Sequence, residues 1–216
     1  MSVRRFALID PAAGISGDMV LGALVDLGLP ASWIRGLPGR LGLEGVKVDV
    51  ADVIRCGMRS TKVSVVVDGA TEGPGDVHHH DHGSDHSHPH DHPHQHDPEH
   101  SPHGHGHAHR HVRELLAIIA AADLTETVKA TASRVFRELA AAEGRIHGTD
   151  PESVALHEVG AFDALVDIVG AVEGFEQLRV SEIYRAPVAL GSGWVKAAHG
   201  TLPVPAPATA ILVEGL

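Results

Sequence analysis

At 216 residues the chain is long enough for one generous domain, and a hydrophobic content of 43% is ample for a core. A formal charge of −11 with histidines neutral leaves no lysine and arginine excess to neutralise phosphates, which argues against nucleic acid as a partner. The most apolar stretches, such as Met19–Leu29, fall short of the roughly 18 residues a membrane span needs and this one carries Asp26, so no membrane partner is expected.

Phe6-Ala7-Leu8-Ile9 is a short apolar run of buried-strand type, closed by Asp10-Pro11 and a glycine-bearing loop, Ala12 to Gly17. Arg4-Arg5 ahead of it is not followed by an apolar signal region, and the expected compartment is the cytoplasm. From Asp18 a helix is expected, with Ser16 or Asp18 as N-cap and Gly28-Leu29-Pro30 as stop signal. Val46, Val48 and Val50, then Val63, Val65 and Val67, alternate with polar residues and read as two half-buried strands paired as a hairpin. Cys56 between them is the one cysteine; with no thiol partner for a disulfide or a zinc site it reads as a structural core residue.

From Gly73 to His111 the composition changes to histidine, aspartate, proline, glycine and serine, holding sixteen of the nineteen histidines. Such a segment buries too little to offset its ordering entropy, so residues 73–111 are expected to be a flexible linker, disordered without metal. Neutral imidazole is a good ligand for nickel, zinc, copper and iron. The candidate ligands are His78, His79, His80, His82, His86, His88, His90, His92, His94, His96, His100, His103, His105, His107 and His109. Their irregular spacing suits multi-site, exchangeable loading rather than one closed geometry, and it does not select nickel over copper. A coil of roughly 35 residues spans about 30–35 Å, enough to reach an internal site. A solvated linker, or an engineered tag, with incidental metal affinity is the plain alternative.

Helical spacing resumes over Val112–Ala122 and Thr125–Ile146, and a further helix is expected to begin near Thr149-Asp150-Pro151-Glu152. Asp163 and Asp167 share a helical face, opposite Leu165, Ile168, Val169 and Val172, and Gly170 beside them would let a ligand or another backbone approach. Ligand or metal work for these aspartates competes with helix capping and salt bridging. Ile183 to Val195 is strand-like, followed by a proline-rich approach to a short C-terminal helix. Residues 1–72 and 112–216 thus read as one α/β or α+β domain, a mixed sheet with flanking helices, interrupted by the histidine-rich insertion.

Four segments in order, Asp10-Pro-Ala-Ala-Gly-Ile-Ser-Gly-Asp18, the histidine-rich insertion, His157-Glu-Val-Gly-Ala-Phe-Asp-Ala-Leu-Val-Asp-Ile-Val-Gly170 and His199-Gly-Thr-Leu-Pro-Val-Pro-Ala-Pro-Ala-Thr209, resemble those of the LarC-type nickel insertion proteins across nearly the whole chain. The resemblance implies a nickel chelatase (a cyclometallase of the lyase class) that inserts nickel into a thiocarboxylated pyridinium mononucleotide to form the nickel-pincer cofactor, consuming CTP. It also implies a C-terminal CTP-binding half, with Mg or Mn, that lies outside these residues, so this part alone is not expected to turn over. Homo-oligomers are a further expectation. Ala155 stands where many relatives are expected to carry histidine, and Ala164 where serine is common, which shifts weight to His157, His199 and the mobile histidines.

His157 is therefore expected as a nickel ligand with Glu158 orienting it, or the two as acid–base groups, with Asp163 and Asp167 beside them; a buried, hydrogen-bonded histidine is the alternative. Asp10, Gly14, Ser16, Gly17, Asp18 and His199 are the expected substrate-binding residues, the loop offering backbone N–H groups and a helix dipole to a phosphate. The two aspartates oppose a bare phosphate, so they fit equally well as cap and turn formers or behind a metal ion. The rival functions are a non-catalytic nickel or zinc storage and delivery metallochaperone, and a nucleotide-dependent phosphotransferase, which lacks a Walker lysine.

Overall fold

The computed structural model describes residues 4–68, 70–72, 110–156, 162–197 and 200–215. Strand β1 (Arg5–Ile9) leads through the glycine-bearing loop into α1 (Gly17–Asp26), followed by the short helices α2 (Ala31–Arg35) and α3 (Leu37–Arg40). Strands β2 (Val46–Arg55) and β3 (Met58–Val67) form the expected hairpin, paired from Val46↔Val67 to Arg55↔Met58, and β4 (Ala70–Glu72) adds to β3. The hairpin turn is Cys56-Gly57, both at positive φ (51° and 79°), the two-residue geometry whose twist matches paired strands. Cys56 is consequently exposed at the tip, not in the core. Turn geometry overrode the expectation taken from its chemistry.

Beyond the insertion, β5 (Arg110–His111) precedes α4 (Val112–Ala121) and the long α5 (Glu126–His147). Thr125 caps α5 by accepting from the Val128 N–H at 3.2 Å, and Gly148 closes it at φ 64°. The sequence near Thr149 makes only a 3-10 turn, Pro151–Ser153, because Asp150 caps that turn and the chain then extends into β6 (Ala155–Leu156). The expected helix starts later, as α6 (Phe162–Gln177). Strand β7 (Val180–Arg185), the hairpin of β8 (Trp194–Ala197) and β9 (Gly200–Pro203), and α7 (Pro207–Leu212) complete the chain.

Helix α6 is central: Leu165, Val166 and Val169 are fully buried among Leu21, Ile34, Leu37 and Val63. Gly170 and Gly174 let neighbours in closely, since a methyl at Gly170 would meet Leu21 and Ile34 at 2.8 Å and one at Gly174 would meet Leu24 at 2.7 Å and Trp33 at 2.9 Å. Gly170 thus serves core packing rather than ligand approach. Strand β1 pairs with β7 in parallel, from Phe6↔Glu182 to Ile9↔Arg185. Helices α1 and α6 lie side by side, Gly17 by Asp167, Leu21 by Gly170 and Leu24 by Gly174, so they run in the same direction. Both begin at the carboxyl end of the strand pair, the edge where open α/β sheets bind ligands. Among the described residues, no helix is long and apolar enough to cross a membrane.

Candidate functional site

Where β1 ends, Asp10 Oδ1 accepts from the Ala12 N–H at 3.3 Å and the Gly14 N–H donates to Pro11 O at 3.0 Å, with Gly14 at φ 91°. Asp10 and Gly14 therefore shape the turn, and the Gly14 N–H is already engaged. Ser16 stands at the N-cap in extended conformation, but its hydroxyl donates to Asp18 Oδ1 instead of capping the backbone. At Gly17, the first residue of α1, α6 leaves no space for a side chain: a methyl would overlap the Asp167 carboxylate.

On α6, Asp163 is in the first turn and accepts from the Ala164 N–H at 2.7 Å. Asp167, one turn on, is raised from an ordinary 3.8 to about 7, first by burial and then by the neighbouring carboxylates of Asp163 and Asp18, with the Asp18 backbone N–H pulling the other way. Three acids from two helices thus converge, and one of them holds or releases a proton near neutral pH. A carboxyl so placed can act in acid–base chemistry, or exchange its proton for a cation.

The end of the insertion is fixed beside this cluster. Strand β5 pairs antiparallel with β6, Arg110 opposite Leu156 and His111 opposite Ala155. The Arg110 guanidinium lies 3.6 Å over the Phe162 ring, the first residue of α6, and His111 Nδ1 is 3.0 Å from Ser153 O. Sequence reasoning missed Arg110, His111 and Phe162 as positioning residues, since a two-residue bridge has no periodicity to read.

The fold therefore brings Gly17 and Asp18 to Asp163 and Asp167, at the end of the loop that Asp10, Gly14 and Ser16 form. His157, Glu158 and His199 lie outside the described residues, as do the fifteen expected metal ligands from His78 to His109. Among the described residues, no group of three or more histidine, cysteine, aspartate or glutamate side chains has an arrangement that could hold a metal ion. The carboxylates alone are hard oxygen donors, and nickel favours imidazole company.

The sequence profile described as nickel insertion protein matches residues 7–216. The chain belongs to the nickel insertion protein family. Among the relatives it matches is the pyridinium-3,5-bisthiocarboxylic acid mononucleotide nickel insertion protein of Desulfitobacterium hafniense, 39% identical over 212 residues, 98% of this chain and 44% of that protein. Proteins of the same name from Akkermansia muciniphila (39% over 212 residues, 97% of this chain, 45% of the relative) and a Nocardioides species (37% over 210 residues, 97% and 44%) match equally broadly. The chain thus spans less than half the length of these relatives. No solved structure matches it.

Proposed function

We propose that this chain is the nickel-handling N-terminal part of a CTP-dependent nickel chelatase acting on pyridinium-3,5-bisthiocarboxylic acid mononucleotide, in the cytoplasm. The substrate comes from the names of the family members it resembles. The observation that carries the reading is the pairing of Arg110 with Leu156 and its stacking on Phe162, which ties the root of the histidine-rich stretch to both ends of the 157–161 segment. Nickel collected by the imidazoles between His78 and His109 would be delivered next to His157 without a search across the protein surface.

In this account His157 ligates the incoming nickel with Glu158 orienting it, or the pair removes the ring proton as the carbon–nickel bond forms. Asp163 and Asp167 supply negative charge and a proton acceptor at the start of α6; the proton on Asp167 leaves when a divalent cation arrives. Gly17 and the loop before it, with His199, hold the mononucleotide at the paired helix N-termini, whose dipoles favour its phosphate once the arriving divalent cation offsets the carboxylates there. CTP with Mg or Mn belongs to a C-terminal half, whose association with this chain the reaction requires.

The test is reconstitution of this chain with the separately produced remainder of the Desulfitobacterium hafniense relative, CTP and Mg, following nickel transfer into the thiocarboxylated mononucleotide. Transfer lost in His157→Ala and slowed at scarce nickel by deletion of residues 76–109 is expected. Nickel held by the chain with no transfer under any condition would instead favour a storage and delivery metallochaperone.

A further inference from the structure

Strand β1 has β7 on one side and, among the described residues, no strand on the other. Parallel strands are ordinarily covered on both faces, yet Phe6 and Leu8 are each 69% exposed and Tyr184 is 53% exposed. The apolar surface turns around the edge of β1 onto α1, where Leu8, Ile15, Met19 and Leu27 line one groove of about 260 Å³. Met19, Ala23 and Leu27 form one helical stripe while Leu21 and Leu24 face the core, so α1 is apolar on two sides. A helix of that kind is built to be covered twice. The exposed area of Phe6, Leu8, Ile15, Met19 and Leu27, the apolar residues around the open edge, is on the order of 500 Å², what one partner brings to a small interface.

The backbone and the charges of β1 select the occupant. Ile9 O accepts from the Ala186 N–H at 2.9 Å and Arg5 O from Ser181 Oγ at 2.9 Å. Strand alternation therefore turns the N–H and C=O groups of Arg5, Ala7 and Ile9 toward β7, and those of Phe6 and Leu8 toward the open edge. A second β1 running antiparallel, centred on Ala7, sets Phe6 opposite Leu8 twice with those backbone groups facing each other. Continued one residue past each end of β1, the same register sets Arg4 opposite Asp10 twice. Centring on Phe6 or on Leu8 instead loses both ion pairs, placing Arg4 against Leu8 or Phe6 against Asp10. With its flanking residues Arg4 and Asp10 included, the segment is charge-complementary to itself in one register only.

The geometry points to a two-fold dimer in which β1 pairs with β1 of a second copy, forming a continuous four-stranded sheet with the two α1 helices side by side beneath it. Arg4 exchanges its present neighbour Glu182, 3.7 Å away in an exposed pair of little worth, for Asp10 of the second copy. Each copy thereby places a guanidinium at the strand end where the other's glycine-bearing loop begins.

Sedimentation equilibrium of the full chain tests this, with a chelator present so that metal bridging between histidine-rich stretches cannot contribute. The expected result is a dimer whose dissociation constant rises about tenfold or more in Arg4→Asp and in Asp10→Arg and recovers in the double variant Arg4→Asp/Asp10→Arg. Phe6→Glu, at an exposed position outside the core, should give monomer with an unchanged circular dichroism spectrum. A chain monomeric at every concentration, or a dimer indifferent to Arg4→Asp, or one that the double variant fails to restore, overturns the proposal. None of these outcomes involves nickel or the mononucleotide.

Discussion

Gly17 of α1 and Asp167 of α6 are in direct contact, and the position of the carboxyl group depends on the missing side chain. Gly17→Ala should therefore displace Asp167 toward solvent, lowering stability by about 1–2 kcal/mol and returning the Asp167 titration toward the ordinary carboxylate range. Urea denaturation reads the first effect and an NMR titration the second. An Ala at Gly14 meets nothing within 4 Å but inherits φ 91°, so it should cost about 1 kcal/mol and leave the titration in place.

Asp167 also makes stability depend on pH. Its folded value of about 7 lies above its ordinary 3.8, so the folded state holds this proton more tightly than the unfolded chain does. The contribution is full below about pH 4 and is lost as pH rises through about 7. Wild-type stability should therefore fall across that window relative to Asp167→Asn, by about 2 kcal/mol, roughly half of what the full shift carries at 1.36 kcal/mol per unit, because the site remains partly solvated. Paired urea curves at pH 4.5 and pH 8 check this; a constant difference between the two proteins would contradict it.

The buried Glu173 anchors the other end of α6. Its carboxylate accepts from Trp33 Nε1 at 2.7 Å and from the Arg40 guanidinium fork, one arm at 2.9 Å, while Arg40 also reaches Trp33 O at 3.2 Å. Glu173→Ala leaves a partly buried guanidinium and an indole N–H without their acceptor and should cost about 3 kcal/mol. Thermal denaturation measures it, and Glu173→Gln, which keeps an acceptor, should cost less.

Much of this fold was legible in the sequence because its signals are local. Alternating valines gave the β2–β3 hairpin, Thr125 marked the start of α5, and the apolar run Phe6–Ile9 gave β1, though not as the buried strand expected, since one of its faces, with Phe6 and Leu8, is exposed. What failed depended on the rest of the chain. Asp150 and Pro151 carry good helix-start chemistry, yet the chain extends into β6 to meet β5, a pairing made across 44 residues of sequence. Gly170 reads as an opening for a ligand or another backbone until the side chains of Leu21 and Ile34 are seen to fill it, and the small residue that matters to the acids is Gly17, from another helix. Asp163 and Asp167 were legible as a pair by their spacing of four, but the raised affinity of Asp167 for its proton needs burial and Asp18, which spacing does not encode.

Arg110 offers a separate test of delivery. Its stacking on Phe162 holds the root of the insertion without adding a metal donor. Arg110→Ala should leave the number of nickel ions bound per chain unchanged while slowing transfer out of the histidine-rich stretch several-fold, because the root keeps its pairing with β6 but loses the stack that holds it against α6. Equilibrium dialysis gives the first quantity and stopped-flow absorbance the second. A loss of capacity would assign Arg110 a different role.

The most direct measurement is a calorimetric titration of the intact chain with nickel and then with the thiocarboxylated mononucleotide, compared with His157→Ala and with a chain whose histidines from His78 to His109 are all replaced by asparagine. The account predicts that the asparagine chain keeps one nickel site and binds the nucleotide, and that His157→Ala loses that site. If the asparagine chain binds neither nickel nor the nucleotide, the protein outside the histidine-rich stretch has no role in metal insertion and the account fails.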